Sequence, residues 1–168
     1  MGGSAAPRLE RGNAQFHKYY KEQLAPLLHG EDDWDALIAS LGTPLPVSFR
    51  ISGAALDATT AAVRLHVETV HVPALAHTSS PLRPLPWYPA RLAWQVGTSR
   101  SGLRGRAAPG HTAADHEMMQ ALRELRSFLM EEADAGHVHR QEAASMVPPL
   151  LLDVKPGMRV LDMCVQRL

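Results

Sequence analysis

Apolar positions along this chain fall into two periodicities, three-to-four and two, separated by proline and glycine. Over residues 13–24, Phe16, Tyr19, Tyr20 and Gln23 gather near one helical face behind a capping Asn13, and Pro26 stops the run. A second short helix is predicted over residues 33–41, closed by Gly42. Pro44 and Pro46 then hand over to Val47-Ser-Phe-Arg-Ile51, whose alternation predicts a strand. Leu56, Val63, Val67 and Val70 recur at steps of seven, four and three, which is helical spacing ending before Pro73. Within that run, Val63-Arg-Leu-His-Val67 also alternates as a strand does.

The stretch Pro81-Leu-Arg-Pro-Leu-Pro-Trp-Tyr-Pro89 repeatedly lacks an N–H donor and fixes φ, so it is read as an extended arm and not as a helix or a central strand. A short strand over residues 92–96 and a Gly/Ser/Arg loop over residues 97–110 follow. Met118, Leu122, Leu125 and Leu129 line one face of a helix predicted over residues 115–135, and Gly136 terminates it. Residues 140–152 form the last helical candidate, interrupted or restarted at Pro148-Pro149. Lys155-Pro156-Gly157 then turns the chain into an apolar strand over residues 159–164. No segment repeats another. Helices mixed with short strands give an α+β reading.

Composition agrees with a folded chain. The 168 residues are 45% hydrophobic and 20% charged, and thirteen prolines call for long irregular connections. A single cysteine, Cys164, excludes an internal disulfide and any CxxC metal pair, which points to a reducing intracellular compartment. No apolar run reaches the roughly 20 residues of a membrane span, and the first residues lack a signal-peptide h-region, so a soluble protein with no membrane partner is expected.

Charge changes the picture more. The formal net charge is zero, yet residues 69–114 contain no aspartate or glutamate while holding Arg83, Arg91, Arg100, Arg104 and Arg106 with Trp87, Tyr88 and Trp94 among them. Guanidinium forks fit phosphates and every base offers a π-face, so this is the composition of an RNA-tracking surface. The alternative is a solvated loop whose tryptophans are buried anchors.

Nine histidines raise a metal site, but neither His137-Val-His139 nor His66 with His71 has a second half at zinc-ligand spacing, and none is assigned. Nucleophile-elbow, Walker and dinucleotide-binding motifs are absent from the sequence, so no catalytic residue is assigned either.

One ordered set of residues carries a resemblance. Arg140-Gln-Glu-Ala-Ala-Ser-Met-Val-Pro-Pro-Leu-Leu-Leu-Asp-Val154, then Pro156 and Val160-Leu-Asp-Met-Cys164, resembles the junction that opens the catalytic domain of Sun-type RNA cytosine-5 methyltransferases. The eukaryotic tRNA (cytosine-5) methyltransferases are the nearest match. Upstream, Phe16-His-Lys-Tyr-Tyr-Lys-Glu-Gln23, Trp34, Leu45-Pro46 with Phe49-Arg50, and Leu85-Pro-Trp-Tyr-Pro89 with Leu92-Ala-Trp-Gln95 are similar to that subfamily's N-terminal region in the same order.

The resemblance implies a disordered start over residues 1–12 and an RNA-interacting region over residues 13–136 with a proline/arginine-rich arm at residues 73–114. Residues 137–168 would hold only the first helix and strand of a Rossmann-like methyltransferase domain. It implies tRNA or another RNA as partner, nuclear or nucleolar residence, and S-adenosylmethionine as methyl donor in intact members. Family enzymes use two cysteines, one as nucleophile and one to release product; Cys164 matches neither, but the cofactor-loop cysteine.

Asp162 and Cys164 are therefore read as a remnant of the donor site. No cofactor is expected for this chain, because Val165-Gln-Arg-Leu168 replaces the family's Ala-Ala-Pro-Gly turn. Beside the arm's five arginines, Arg140 and Gln141 are candidate RNA contacts; helix capping and solvation are their alternative. Three readings stay open: a truncated methyltransferase, inactive as given; a non-catalytic RNA-binding module; and a fragment without a role.

Overall fold

The computed structural model describes residues 14–53, 57–104, 112–155, 157–161 and 163. They divide into two compact units, Met1–Leu45 and Pro46–Leu168. No helix among the described residues is long and apolar enough to cross a membrane.

In the first unit, α1 (Ala14–Leu24) and α2 (Glu31–Gly42) flank a 3-10 turn, Ala25–Leu27, that contains the expected stop, Pro26. Glu31, Asp32 and Asp33 crowd the first turn of α2, where carboxylates complement the exposed N–H groups and the positive end of the helix dipole. Asp33 accepts the backbone N–H of His29 at 2.9 Å. Trp34 is the buried anchor: the His17 ring meets it edge-on at 5.7 Å and the Lys21 ammonium stands 6.0 Å above it. Lys21 also pairs with Glu31.

The second unit holds the sheet. Strand β1 (Pro46–Ile51) leads to α3 (Ala58–His66), which runs through a π turn, Val67–His71, into α4 (Val72–Leu75). Strands β2 (Leu82–Pro84) and β3 (Ala93–Ser99) follow, then α5 (Ala113–Asp134), β4 (Val138–Arg140) and α6 (Val147–Leu151). The strand order is β2-β3-β1-β4 with every neighbouring pair antiparallel. Two strand-helix-strand passes are thus interleaved in one sheet, the connectivity of the ferredoxin-like split βαβ unit.

Capping explains where the two long helices start. Asp57 accepts the Thr60 N–H at 2.9 Å, and hydrogen bonds from the Thr60 backbone and hydroxyl hold its carboxyl below the usual 3.8. Thr112 and Asp115 form a reciprocal capping box at the head of α5. Cross-strand register, Phe49 beside Trp94 and Ile51 beside Val138, with Leu82 beside Val96, gathers apolar side chains on one sheet face. Val63, Val67 and Leu75 from one helix and Leu122, Leu125 and Leu129 from α5 cover them.

Three sequence expectations are corrected. Val70 is exposed, not inward, because the π turn adds a residue to the helical face and brings His71 and then Leu75 inside. Residues 140–152 are not one helix: Arg140 ends β4, Ala143–Met146 is a 3-10 turn, and only Val147–Leu151 is α-helical. Pro148 falls in the first turn of that helix, where a missing N–H costs nothing, so the helix begins there. The expected strand over 159–164 makes no pairing at residues 159–161 and 163; Asp162 and Cys164 lie outside the described residues. Every described strand is antiparallel, and Val138–Arg140, at the head of the expected methyltransferase part, pairs as an edge strand, β4, of this sheet.

His71 is buried against Phe128 at 4.8 Å and His66 at 5.3 Å, and its Nε2 has no hydrogen-bond partner among the described residues. Burial, then the His66 charge, push its pKa below 6.5, with Glu124 opposing. The fold therefore disfavours its charged form, whereas the unfolded chain takes up a proton near 6.5. Stability is full above that pH and falls as acid is added through it. Urea midpoints at pH 7.5 and 5.5 should differ in this sense, and His71→Leu should lose that share of the slope. Packing gives a second expectation: Leu125→Ala should cost about 3 kcal/mol, while Leu151→Ala, at a side chain 81% exposed, should stay within about 0.5 kcal/mol.

Candidate nucleic-acid interface

A strand alternates its side chains, so covering one sheet face with α3 and α5 turns the intervening residues to the other. Two rows cross that second face. Arg83 on β2 lies beside Gln95 on β3, which lies beside Ser48 on β1, and the Gln141 N–H closes the row onto the Ser48 carbonyl at 3.2 Å. In the next row the Leu85 N–H bonds to Ala93 at 2.8 Å, Ala93 lies beside Arg50, and Arg50 beside His139. Leu85 and Ala93 are roofed by Met146 of the 3-10 turn, with Tyr88 and Ala143 packed around them. The rest of the face is polar and cationic, with Arg83 and His139 exposed and Arg50 half-buried.

The predicted residues go to different places. Arg83 is on this face. Arg91 is on the helical side: its Nε lies 3.2 Å from Glu68 Oε1 and its guanidinium 5.6 Å from the Trp94 ring. Arg64 Nη1 donates to the Ala90 carbonyl at 3.1 Å beside it. Ala90 and Arg91 both take positive φ, 56° and 54°, a strained bend that these contacts hold in place. Arg91 thus fastens the β2–β3 connection to the π turn, and Arg64 fastens it to α3. Arg100 follows β3 and Arg104 ends a 3-10 turn, Gly102–Arg104, both exposed. Arg106 lies outside the described residues.

Arg140 pairs in register with Phe49 and so belongs to the helical side of the sheet, exposed at its edge. Gln141 spends its side-chain amide on the Ser145 carbonyl at 3.1 Å, and its own carbonyl accepts the Ser48 hydroxyl at 2.7 Å. Of the aromatic pair, Trp94 is fully buried among the helices while Trp87 is 44% exposed, its ring 5.9 Å from Tyr88. Sequence reasoning missed Arg50, Gln95 and His139 as surface residues. Their signal was alternation: Arg50 is out of phase with Phe49, and His139 with Val138.

A cavity of about 270 Å³ opens at one end of the sheet, lined by Ser52, Asp57, Thr59, Thr60, His137 and glycines 53 and 136. Asp57 is spent on capping α3, and Glu132 Oε2 holds His137 Nδ1 at 2.8 Å. No cluster of three potential metal ligands occurs among the described residues. Before Asp162, residues 158–161 are exposed and unpaired; Asp162 and Cys164 lie outside the described residues.

The chain is similar to curated tRNA cytosine-C5 methyltransferases. The chain is 38% identical over 165 residues to the tRNA (cytosine(34)-C(5))-methyltransferase of Drosophila melanogaster, covering 93% of this chain and 20% of that protein. It is 38% identical over 160 residues to a multisite-specific tRNA:(cytosine-C(5))-methyltransferase of Schizosaccharomyces pombe, covering 90% and 21%. Its identity to the enzyme of the same description in Saccharomyces cerevisiae is 35% over 163 residues, covering 93% and 21%. The chain spans about a fifth of the length of these curated relatives. No family model and no solved structure matches it.

Gln141 offers a direct check on the geometry. Gln141→Ala removes one partly exposed hydrogen bond to Ser145, which should cost about 0.5 kcal/mol in urea unfolding and leave RNA affinity unchanged. A drop in affinity at unchanged stability would put this amide on the ligand.

Proposed function

We propose that this chain, whose homologues are tRNA cytosine-C5 methyltransferases, is the RNA-engaging front portion of such an enzyme and does not itself perform the chemistry. The carrying observation is identity of 35–38% over nine tenths of the chain to three proteins of that description. An intact enzyme of this kind draws its methyl group from S-adenosylmethionine and acts on a cytosine of tRNA, with nuclear or nucleolar residence in keeping. The two-cysteine chemistry that the resemblance implies needs a nucleophile and a second thiol, and these 168 residues carry one cysteine. Attack on the base therefore draws on sequence beyond them.

What this portion supplies is position. Holding a substrate in reacting geometry can lower a barrier by roughly 7–11 kcal/mol, and a folded platform that grips RNA beside a catalytic domain contributes through that term. The reading of a non-catalytic RNA-binding module shares the same platform. It is favoured by one observation, that the antiparallel sheet pairs all four of its strands without a parallel partner. Under both readings Arg83, Arg100, Arg104 and Arg106 are cationic contacts, and Asp162 and Cys164 alone bind no methyl donor.

Two assays on the purified chain test this. Filter binding of tRNA from 50 to 200 mM salt should show affinity that falls steeply with salt, and Arg100, Arg104 and Arg106 replaced together by glutamine should lower the log–log slope by about two. Labelled S-adenosylmethionine should transfer no methyl group to tRNA. Methylated cytosine formed by the chain alone would overturn the non-catalytic assignment; absence of any tRNA binding would overturn the RNA assignment.

A further inference from the structure

The open face of the sheet combines an absence of strand carboxylates with a half-buried arginine. None of the four strands, Pro46–Ile51, Leu82–Pro84, Ala93–Ser99 and Val138–Arg140, contains an aspartate or a glutamate. On its outward face Arg50 is half-buried on the central strand, and its guanidinium makes no ion pair or hydrogen bond with any described residue. A guanidinium drawn partly out of water loses hydration, and folds ordinarily offset that with a carboxylate or a set of carbonyls. Among the described residues neither is supplied.

We propose that this face grips an RNA strand by its phosphates, with Arg50 as the anchoring cation and His139 and Arg83 as flanking contacts, and that it does not stack the bases. This rests on the RNA reading above and adds the surface and the mode. His139 is the register neighbour of Arg50 on β4, one strand spacing or about 4.8 Å away along the sheet. Those two side chains can share one phosphate. Arg83 stands two strands from Arg50 on the other side, about 10 Å across the sheet, and reaches a different phosphate of the same strand.

The exclusion of stacking comes from the same alternation. Four-stranded sheets that read bases place aromatic rings outward on their central strands. In this sheet the outward residues of β1 and β3 are Ser48, Arg50, Ala93, Gln95 and Gly97, whereas Phe49 and Trp94 point inward and are fully buried. Charge complementarity remains as the means of recognition, and it is sequence-tolerant and salt-dependent.

The test uses the whole chain with tRNA and with 12-nucleotide single-stranded oligomers of uridine and of adenosine. Arg50→Gln should weaken tRNA binding roughly tenfold and lower the salt slope by about one. Arg50→Lys should keep most of that slope, and His139→Gln with Arg83→Gln should reproduce the loss without touching the half-buried position. Arg140→Gln, on the helical side, should have no effect. The two oligomers should bind within threefold of each other. Wild-type binding that survives Arg50→Gln and the His139/Arg83 pair unchanged overturns this inference and leaves the RNA reading standing. So does a loss on Trp87→Ala larger than that on Arg50→Gln, or a base preference above tenfold. A wild-type chain that binds no RNA overturns both.

Discussion

The fold from Pro46 onward depends on β1 being paired along both edges. Phe49 lies between Trp94 and Arg140 in register, fully buried, and Ile51 lies beside Val138 from a segment nearly ninety positions away. A central strand that supplies ladder bonds on both sides fixes which residues face the helices, because a slip of one residue would turn Phe49 and Ile51 to water. It also fixes what is left outside. The same register that buries Phe49 and Trp94 sets Arg50, Gln95 and Arg83 on the opposite face.

Much of this architecture was legible in the sequence, for identifiable reasons. Helices α1, α2 and α5 and strands β1 and β3 appear where periodicity and punctuation put them, since amphipathic runs ended by Pro26, Gly42 and Gly136 leave few alternatives. Met118, Leu122, Leu125 and Leu129 all pack on the core. Val70 failed because regular α spacing cannot anticipate a π turn, whose cause is tertiary: burial of Val63, Val67, His71 and Leu75 takes three successive four-residue steps. The short strand Val138–Arg140 was hidden because three residues carry almost no periodicity, and its identity is decided by the open edge of β1 and not by its own composition.

The candidate surface was legible only in part. Residue types drew attention to the acid-free stretch, but type does not say which face of a strand an arginine occupies. Arg91 turned out to brace a strained bend through Glu68 and Trp94, while Arg50, outside that stretch, sits in the middle of the open face. The apolar tail is a separate matter. Leu151, Leu152, Leu161 and Met163 are exposed at 81%, 67%, 82% and 85%, and they belong to the run that resembles a domain junction. Such a density of exposed large apolar side chains is uncommon on a free-standing surface.

The central claim is that register sorts this unit into a helical, load-carrying side and a side whose strands carry no carboxylate, proposed above to meet RNA. Titrating the isotopically labelled chain with tRNA and following backbone amide shifts tests it residue by residue. The account predicts that the largest changes fall at Arg50, Arg83, Gln95 and His139 and leave the outer surfaces of α3 and α5 unmoved. Changes confined to those helices, or to residues 100–104, with the sheet amides still, would contradict it.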